Sequence, residues 1–381
     1  MRTGRTFTQI GVIVLGRLKR YALTAVLALG AAAGTYRCSH SIAQTYPILN
    51  CERIELTYAG KAITGVEDMA YDTVQNAVYI SAYDRRSNSE GGLYRFSAPD
   101  LKTIEKLKTP TPVTQPHGLT LTRNDESLSL TVIDRDVSDP KTLSAKIRRF
   151  ELQDNEPQMF EIPLPQHQTR LCNANNLVSL ENKPDNHIRY LITADHKSCS
   201  YNGRKRENIF APRSSHLVQL DTEKSNPIQT VIPKLNFANG IAVAPDLSLK
   251  KDNIYVAETR KKRLSVFSDT QDGLKLRYHI KLSGGPDNIT MADADYLWVA
   301  IHPNLIKFAS YRSGWAKHAP SRIAHLQINH GGHEYLEHNV YDVPSDIISG
   351  ATVALKAGKH IWLGAAYDTA IARCNLPRDA S

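Results

Sequence analysis

The sequence contains no Cys-X-X-Cys pair, no Gly-X-Ser-X-Gly segment, no RNP-type aromatic motif and no low-complexity linker. The first absence argues against a structural zinc or a thioredoxin-like site, and the second against a serine hydrolase. The third argues against nucleic acid as a partner. The fourth removes the reason to divide the chain into two folded domains. Acidic residues are missing from residues 1–43, which carry Arg2, Arg5, Arg17, Lys19, Arg20 and Arg37. Those six charges make up most of the net charge of +9, so the rest of the chain is only mildly basic.

The basic segment runs into the apolar stretch Tyr21–Ala33, with small residues suited to cleavage at Ala31–Ala33 and Ser41–Ala43. Residues 1–43 therefore read as an export signal, and the mature protein as secreted or extracytoplasmic. The stretch is shorter than the roughly 20 residues that span a bilayer. An uncleaved N-terminal anchor is the alternative, because Ile10–Gly16 adds apolar length, and it would associate the protein with a membrane. An organelle transit peptide is a third reading.

What is present suits one large all-β domain: 381 residues, 41% apolar and 22% charged. Six short runs rich in β-branched and aromatic residues recur at roughly 40- to 65-residue intervals. They are Ala77–Ala82, Ser129–Ile133, Arg189–Ala194, Asn253–Ala257, Tyr296–Ile301 and His360–Ala365. Several continue through a turn into a second strand, as in Gly91–Phe96 and Val256–Phe267. Recurrence on that scale predicts a radial array of four-stranded sheets, a six-bladed β-propeller. A β-sandwich would show turns every 8 to 12 residues without the larger beat.

A propeller must close its ring, usually by sharing one blade between the two chain ends. Cys51 and Cys374 sit near those ends, and a bond between them would lock the closure. Cys172 and Cys199 are candidates for a second pair, and Cys38 is left over.

Polar residues gather just ahead of the strand runs: Gly65–Asp68, Cys172–Leu177, Phe237–Ile241 and Gly285–Ile289. Singly, each segment reads as a turn. In one register of a repeating fold they face the central channel together, where Glu, Asp and Asn oxygens make a calcium-type ligand set. No His–Cys cluster accompanies them, which disfavours zinc or copper.

With these segments in place the chain resembles the paraoxonase/arylesterase family, within the wider group of calcium-dependent lactonase propellers, over residues 47–376. The resemblance rests on Gly65–Asp68, Pro116–Leu119, Asn175–Val178, Phe237–Ile241, Asp287–Ile289, His302–Asn304, Gly350–Ala354 and Cys374–Leu376. It implies a catalytic calcium held by Glu67, Asn175, Asn239, Asp287 and Asn288. It also implies a second, structural calcium held by Asp68, the carbonyl of Leu119 and Asn176, a position that is usually Asp in the family. The terminal disulfide is likewise a family feature. His117 matches the first of two catalytic histidines, and the second is absent near Ile133–Arg135.

The expected function is hydrolysis of a small-molecule lactone or aryl ester, with calcium polarising the carbonyl and His117 as general base. Asp134 is a candidate to orient His117, and Glu67 or Asp287 is an alternative base. Amide hydrogens of Asn175 and Asn239 are candidate donors to the oxyanion. His302 reads as a pocket wall and His196 as loop support. The sequon Asn288–Thr290 is expected to stay unmodified. The rivals are a non-catalytic propeller that binds a protein or carbohydrate, and a strictosidine-synthase-like enzyme.

Overall fold

The computed structural model describes residues 45–377 except 88, 99–100, 102, 124–126, 140, 153–158, 163, 167, 181–188, 211–212, 247–250, 294 and 329–337. Residues 1–43, expected to be an export signal, and Cys38 lie outside the described residues.

Six four-stranded antiparallel sheets form the blades of a propeller. Their innermost strands are Val66–Asp72, Pro116–Arg123, Ala174–Ser179, Ala238–Asp246, Gly285–Asp293 and Val353–Ala357, which begin blades 1 to 6. The predicted runs supply the second strand of each blade, among them Ala77–Ala82 and His360–Gly364. These strands are buried along most of their length because a neighbouring blade covers each face. In Ala77–Ala82, Val78 and Ile80 pack with Trp362 and Val353 of blade 6. The intervening Tyr79 packs with Leu130 and Phe150 of blade 2. The core is thus a set of layers between blades, filled by the period-two alternation of strand side chains.

Closure follows the predicted route. Cys51–Ile54 is the outermost strand of blade 6 and pairs with Ile371–Asn375 from the other chain end. Cys51 lies opposite Cys374 in that register, and the two are disulfide-bonded. A second disulfide joins Cys172 to Cys199. Two disulfides fit an oxidising compartment. Among the described residues no helix is long and apolar enough to cross a membrane.

Hydroxyl groups stitch each blade to the next around the axis. Ser81 donates to the His117 carbonyl at 2.5 Å, and Thr131 meets the Tyr190 hydroxyl at 2.8 Å. Thr193 donates to the Asn239 carbonyl, and Thr259 to that of Pro286 at 2.7 Å. Thr290 donates to Ala354 at 2.5 Å and Thr352 to Glu67 at 2.9 Å, which completes the ring. Five of these six bonds go to inner-strand carbonyls, and an unpaired buried carbonyl is costly.

Candidate active site

The ladder slips in the innermost strand of each of the first five blades. The shifts fall between Val66 and Asp68, Pro116 and Leu119, Ala174 and Leu177, Ala238 and Ile241, and Pro286 and Ile289. Inside them lie Glu67, His117, Asn175, Asn176, Asn239, Asp287 and Asn288. A bulge re-aims side chains that would otherwise follow the strand's alternation. Two glycines let adjacent inner strands close up at these points. A Cβ on Gly118 would stand 2.6 Å from Asn176 Cα, and one on Gly240 would stand 2.5 Å from the Asp287 carbonyl oxygen.

The polar side chains there are buried, Glu67, Asn175, Asn239 and Asp287 each by more than nine-tenths. They fall into two groups. Glu67 Oε2, Asn175 Oδ1, Asn239 Oδ1 and Asp287 Oδ1 are buried with no hydrogen-bond partner. The other atoms of three of these groups are held. Asn175 Nδ2 donates one of its two hydrogens to Asp195 Oδ2 at 3.3 Å. Asp287 Oδ2 is 2.7 Å from His302 Nε2, and His302 stacks on Phe308. His302 therefore acts on a carboxylate, and its role as pocket wall gives way to that contact. Glu67 Oε1 lies 3.4 Å from His117 Nδ1 and Oε2 lies 3.1 Å from Arg85 Nη2.

The second group is saturated. Asp68 accepts from the amides of Met69 and Leu119, each at 3.0 Å. Leu119 thus reaches Asp68 through its N–H, a different atom from the carbonyl that the resemblance assigned to the second calcium. Asn176 Nδ2 donates to Asp68 Oδ2 at 3.2 Å and to Asn288 Oδ1 at 2.8 Å. Asn288 Nδ2 donates to the Glu67 carbonyl at 3.0 Å. Asn288 therefore stands between the groups, and at 1% exposure its amide offers no surface for a sugar.

Burial raises Glu67 above the usual carboxylate range against the pull of Arg85. It likewise pushes Asp68 up to about 8. For Asp195, burial would raise the carboxyl, but Arg135, Arg204 and His196 together hold it well below its ordinary value. His117 is lowered well below 6.5 by burial first and then by the charges of Arg135 and Arg85, so its ring is neutral at pH 7.

Asp134 does not orient His117. Its carboxylate accepts from the amides of Thr114 and Gln115 at 3.2 and 3.0 Å and pairs with Arg148 at 3.2 Å. His196 bonds Asp195 Oδ1 and Asn208 Oδ1, both at 2.7 Å, and so ties the helix Tyr201–Phe210 to the site. The sequence reading missed three members of this shell: Arg85, Arg135 and Asp195. Arg135 pairs with Asp195 at 3.1 Å, across blades. The Asp195-His196 step beside a motif strand was the only local sign of it. Among the described residues no three His, Cys, Asp or Glu side chains cluster as a metal site, so any cation here must draw on Asn oxygens.

No curated protein matches the chain in sequence. Its structure is similar to a luciferin-regenerating enzyme at 14% identity, over 86% of this chain and 96% of that one, with a TM-score of 0.51. It is also similar to a protein of unknown function from Dyadobacter fermentans at 9% identity, over 86% and 98% of the two chains, with a TM-score of 0.53. At those identities the likeness is one of fold. The arylesterase family model matches residues 104–376, most of the chain, and the protein belongs to that family, of the paraoxonase type.

Proposed function

We propose that the protein is an exported, calcium-dependent hydrolase of lactones or aryl esters. The observation that carries the reading is the set of four buried oxygens without hydrogen bonds, on Glu67, Asn175, Asn239 and Asp287, of which that of Glu67 lies beside Arg85. Buried oxygens cost free energy unless something pairs with them. Two carboxylates and two amides, each offering one oxygen from a different blade, suit a hard cation. Asn288 adds a fifth oxygen, whose second lone pair is free after it accepts from Asn176. When bound, the calcium would polarise the ester carbonyl and balance the charge of the oxyanion.

The chain's own residues supply the rest. His117 Nδ1 is buried and without a hydrogen-bond partner. A neutral imidazole there accepts a proton from the attacking water and returns it to the leaving alkoxide as the acyl C–O bond breaks. The product of a lactone is the ring-opened hydroxy acid. Glu67 Oε1 beside Nδ1 steadies the imidazolium as it forms. Arg85, stacked 4.1 Å from the Tyr83 ring, favours the charged form of Glu67 against the larger effect of burial. The single-histidine site differs from the family pattern, and Glu67 is the carboxylate beside His117 while Asp134 pairs with Arg148.

A panel of γ- and δ-lactones and phenyl acetate tests the reading, with His117→Gln beside the wild type. Loss of about 10²–10⁴-fold in kcat with little change in KM is the result for a general base. Unchanged turnover in the variant would remove His117 from the chemistry, and no turnover on any substrate would favour the non-catalytic reading.

A further inference from the structure

We infer that the inner position of the channel takes no calcium, because the amide of Asn176 closes it. The chain then binds one calcium, in the outer set, and keeps its propeller without it. The count of one rests on the reading proposed above, and the closure of the inner position rests on geometry alone.

The two groups differ in what their oxygens still need. Each outer residue keeps a buried oxygen, that of Glu67 beside Arg85, with no hydrogen bond. Every side-chain nitrogen and oxygen of Asp68, Asn176 and Asn288 has one. The amide of Asn176 has only one orientation that works. Its Oδ1 accepts from the Leu177 amide at 2.6 Å, and its Nδ2 faces the Asp68 carboxylate and the Asn288 carbonyl oxygen. Turned over, it would set a donor against a donor and an oxygen against two oxygens.

An aspartate at this position would be an acceptor only, facing the carboxylate of Asp68 at hydrogen-bond range. Two such groups need a cation between them or a shared proton. Asparagine supplies hydrogens in the place of that charge. Its two donor bonds join blade 3 to blades 1 and 5, and the Leu119 amide brings in blade 2. Four blades are therefore tied at the axis by this chain's own atoms.

The test is calcium content of the full chain, after equilibration with micromolar calcium and gel filtration, by mass spectrometry and by calorimetric titration. The expected count is one ion per chain in the wild type, none in Asp287→Ala, and two in Asn176→Asp. After EGTA the wild type should still melt in one cooperative transition. Two ions in the wild type, or one ion that persists in Asp287→Ala, would overturn the inference. No ion in the wild type but one in Asn176→Asp would leave the closure of the inner position supported and overturn the calcium reading of the outer set.

Discussion

His302 Nε2 lies 2.7 Å from Asp287 Oδ2, and this contact leaves Oδ1 of the same carboxylate buried without a partner. The histidine fixes which oxygen is offered. It is itself fixed by stacking on Phe308, with ring centroids 3.7 Å apart. Partners of ligating groups typically cost 10- to 100-fold in metal affinity or activity when removed. His302→Gln should raise the calcium concentration for half-maximal esterase activity by about 10- to 100-fold. The maximal rate at saturating calcium should recover most of the wild-type value. Activity titrated against buffered free calcium checks this.

Gly240 has no room for a side chain. A Cβ there would meet the backbone of Asp287 and Asn288 at 2.5 and 2.6 Å. Gly240→Ala must push blade 5 away from blade 4 where both present site residues. The cost should be about 1–3 kcal/mol of stability, as for other overpacked cores. Activity should fall further than stability does, and urea denaturation with parallel rate measurements separates the two.

The Cys51–Cys374 bond closes the ring over a sequence separation of 323 residues. Loop-entropy arguments give up to about 5 kcal/mol for a loop this long. Replacing both cysteines by serine should lower the urea midpoint by the corresponding amount while leaving the rate at low denaturant near wild type, because the bond lies on the outer strand of blade 6.

Glu258 is not among the residues proposed to hold calcium, and its ionisation makes stability depend on pH. It is 1% exposed and accepts from the Asn236 amide at 2.9 Å, Asn236 Nδ2 at 2.7 Å and Arg263 Nε at 2.8 Å. Burial alone would raise its pKa, but hydrogen bonds from Ser265, Asn236 and Arg263 bring it below the ordinary 4.5. A carboxyl with a depressed folded pKa stabilises the protein above its unfolded pKa and loses that contribution as pH falls through the folded value. Glu258→Gln should cost about 3 kcal/mol at pH 7, and the gap to wild type should shrink as pH falls below 4.5. Chemical denaturation from pH 7 to pH 3 measures it.

The blades were legible because each second strand is largely buried and so is written as a short run rich in β-branched and aromatic residues, as in Ala77–Ala82. The motif residues were legible because they interrupt that pattern with Glu, Asp and Asn at one recurring place. The bulges that turn them into the channel were not, since a register slip depends on the partner strand. Arg85, Arg135 and Asp195 were invisible for a related reason. Their meaning lies in pairs such as Arg135 with Asp195, 60 residues apart in the chain. Asp134 shows the converse error: nearness in sequence to the expected histidine suggested a role, and Arg148 had already claimed its carboxylate.

The central claim is that the buried oxygens of Glu67, Asn175, Asn239 and Asp287 that lack hydrogen bonds hold a calcium used in ester cleavage. Its most direct test is lactone hydrolysis at clamped free calcium, from chelated to millimolar, for wild type and Asp287→Ala. The account predicts a saturable rise from background in the wild type, reversible on re-adding calcium after EGTA, and background rates throughout in the variant. Full turnover under EGTA, or an Asp287→Ala curve that overlays the wild type, would contradict it.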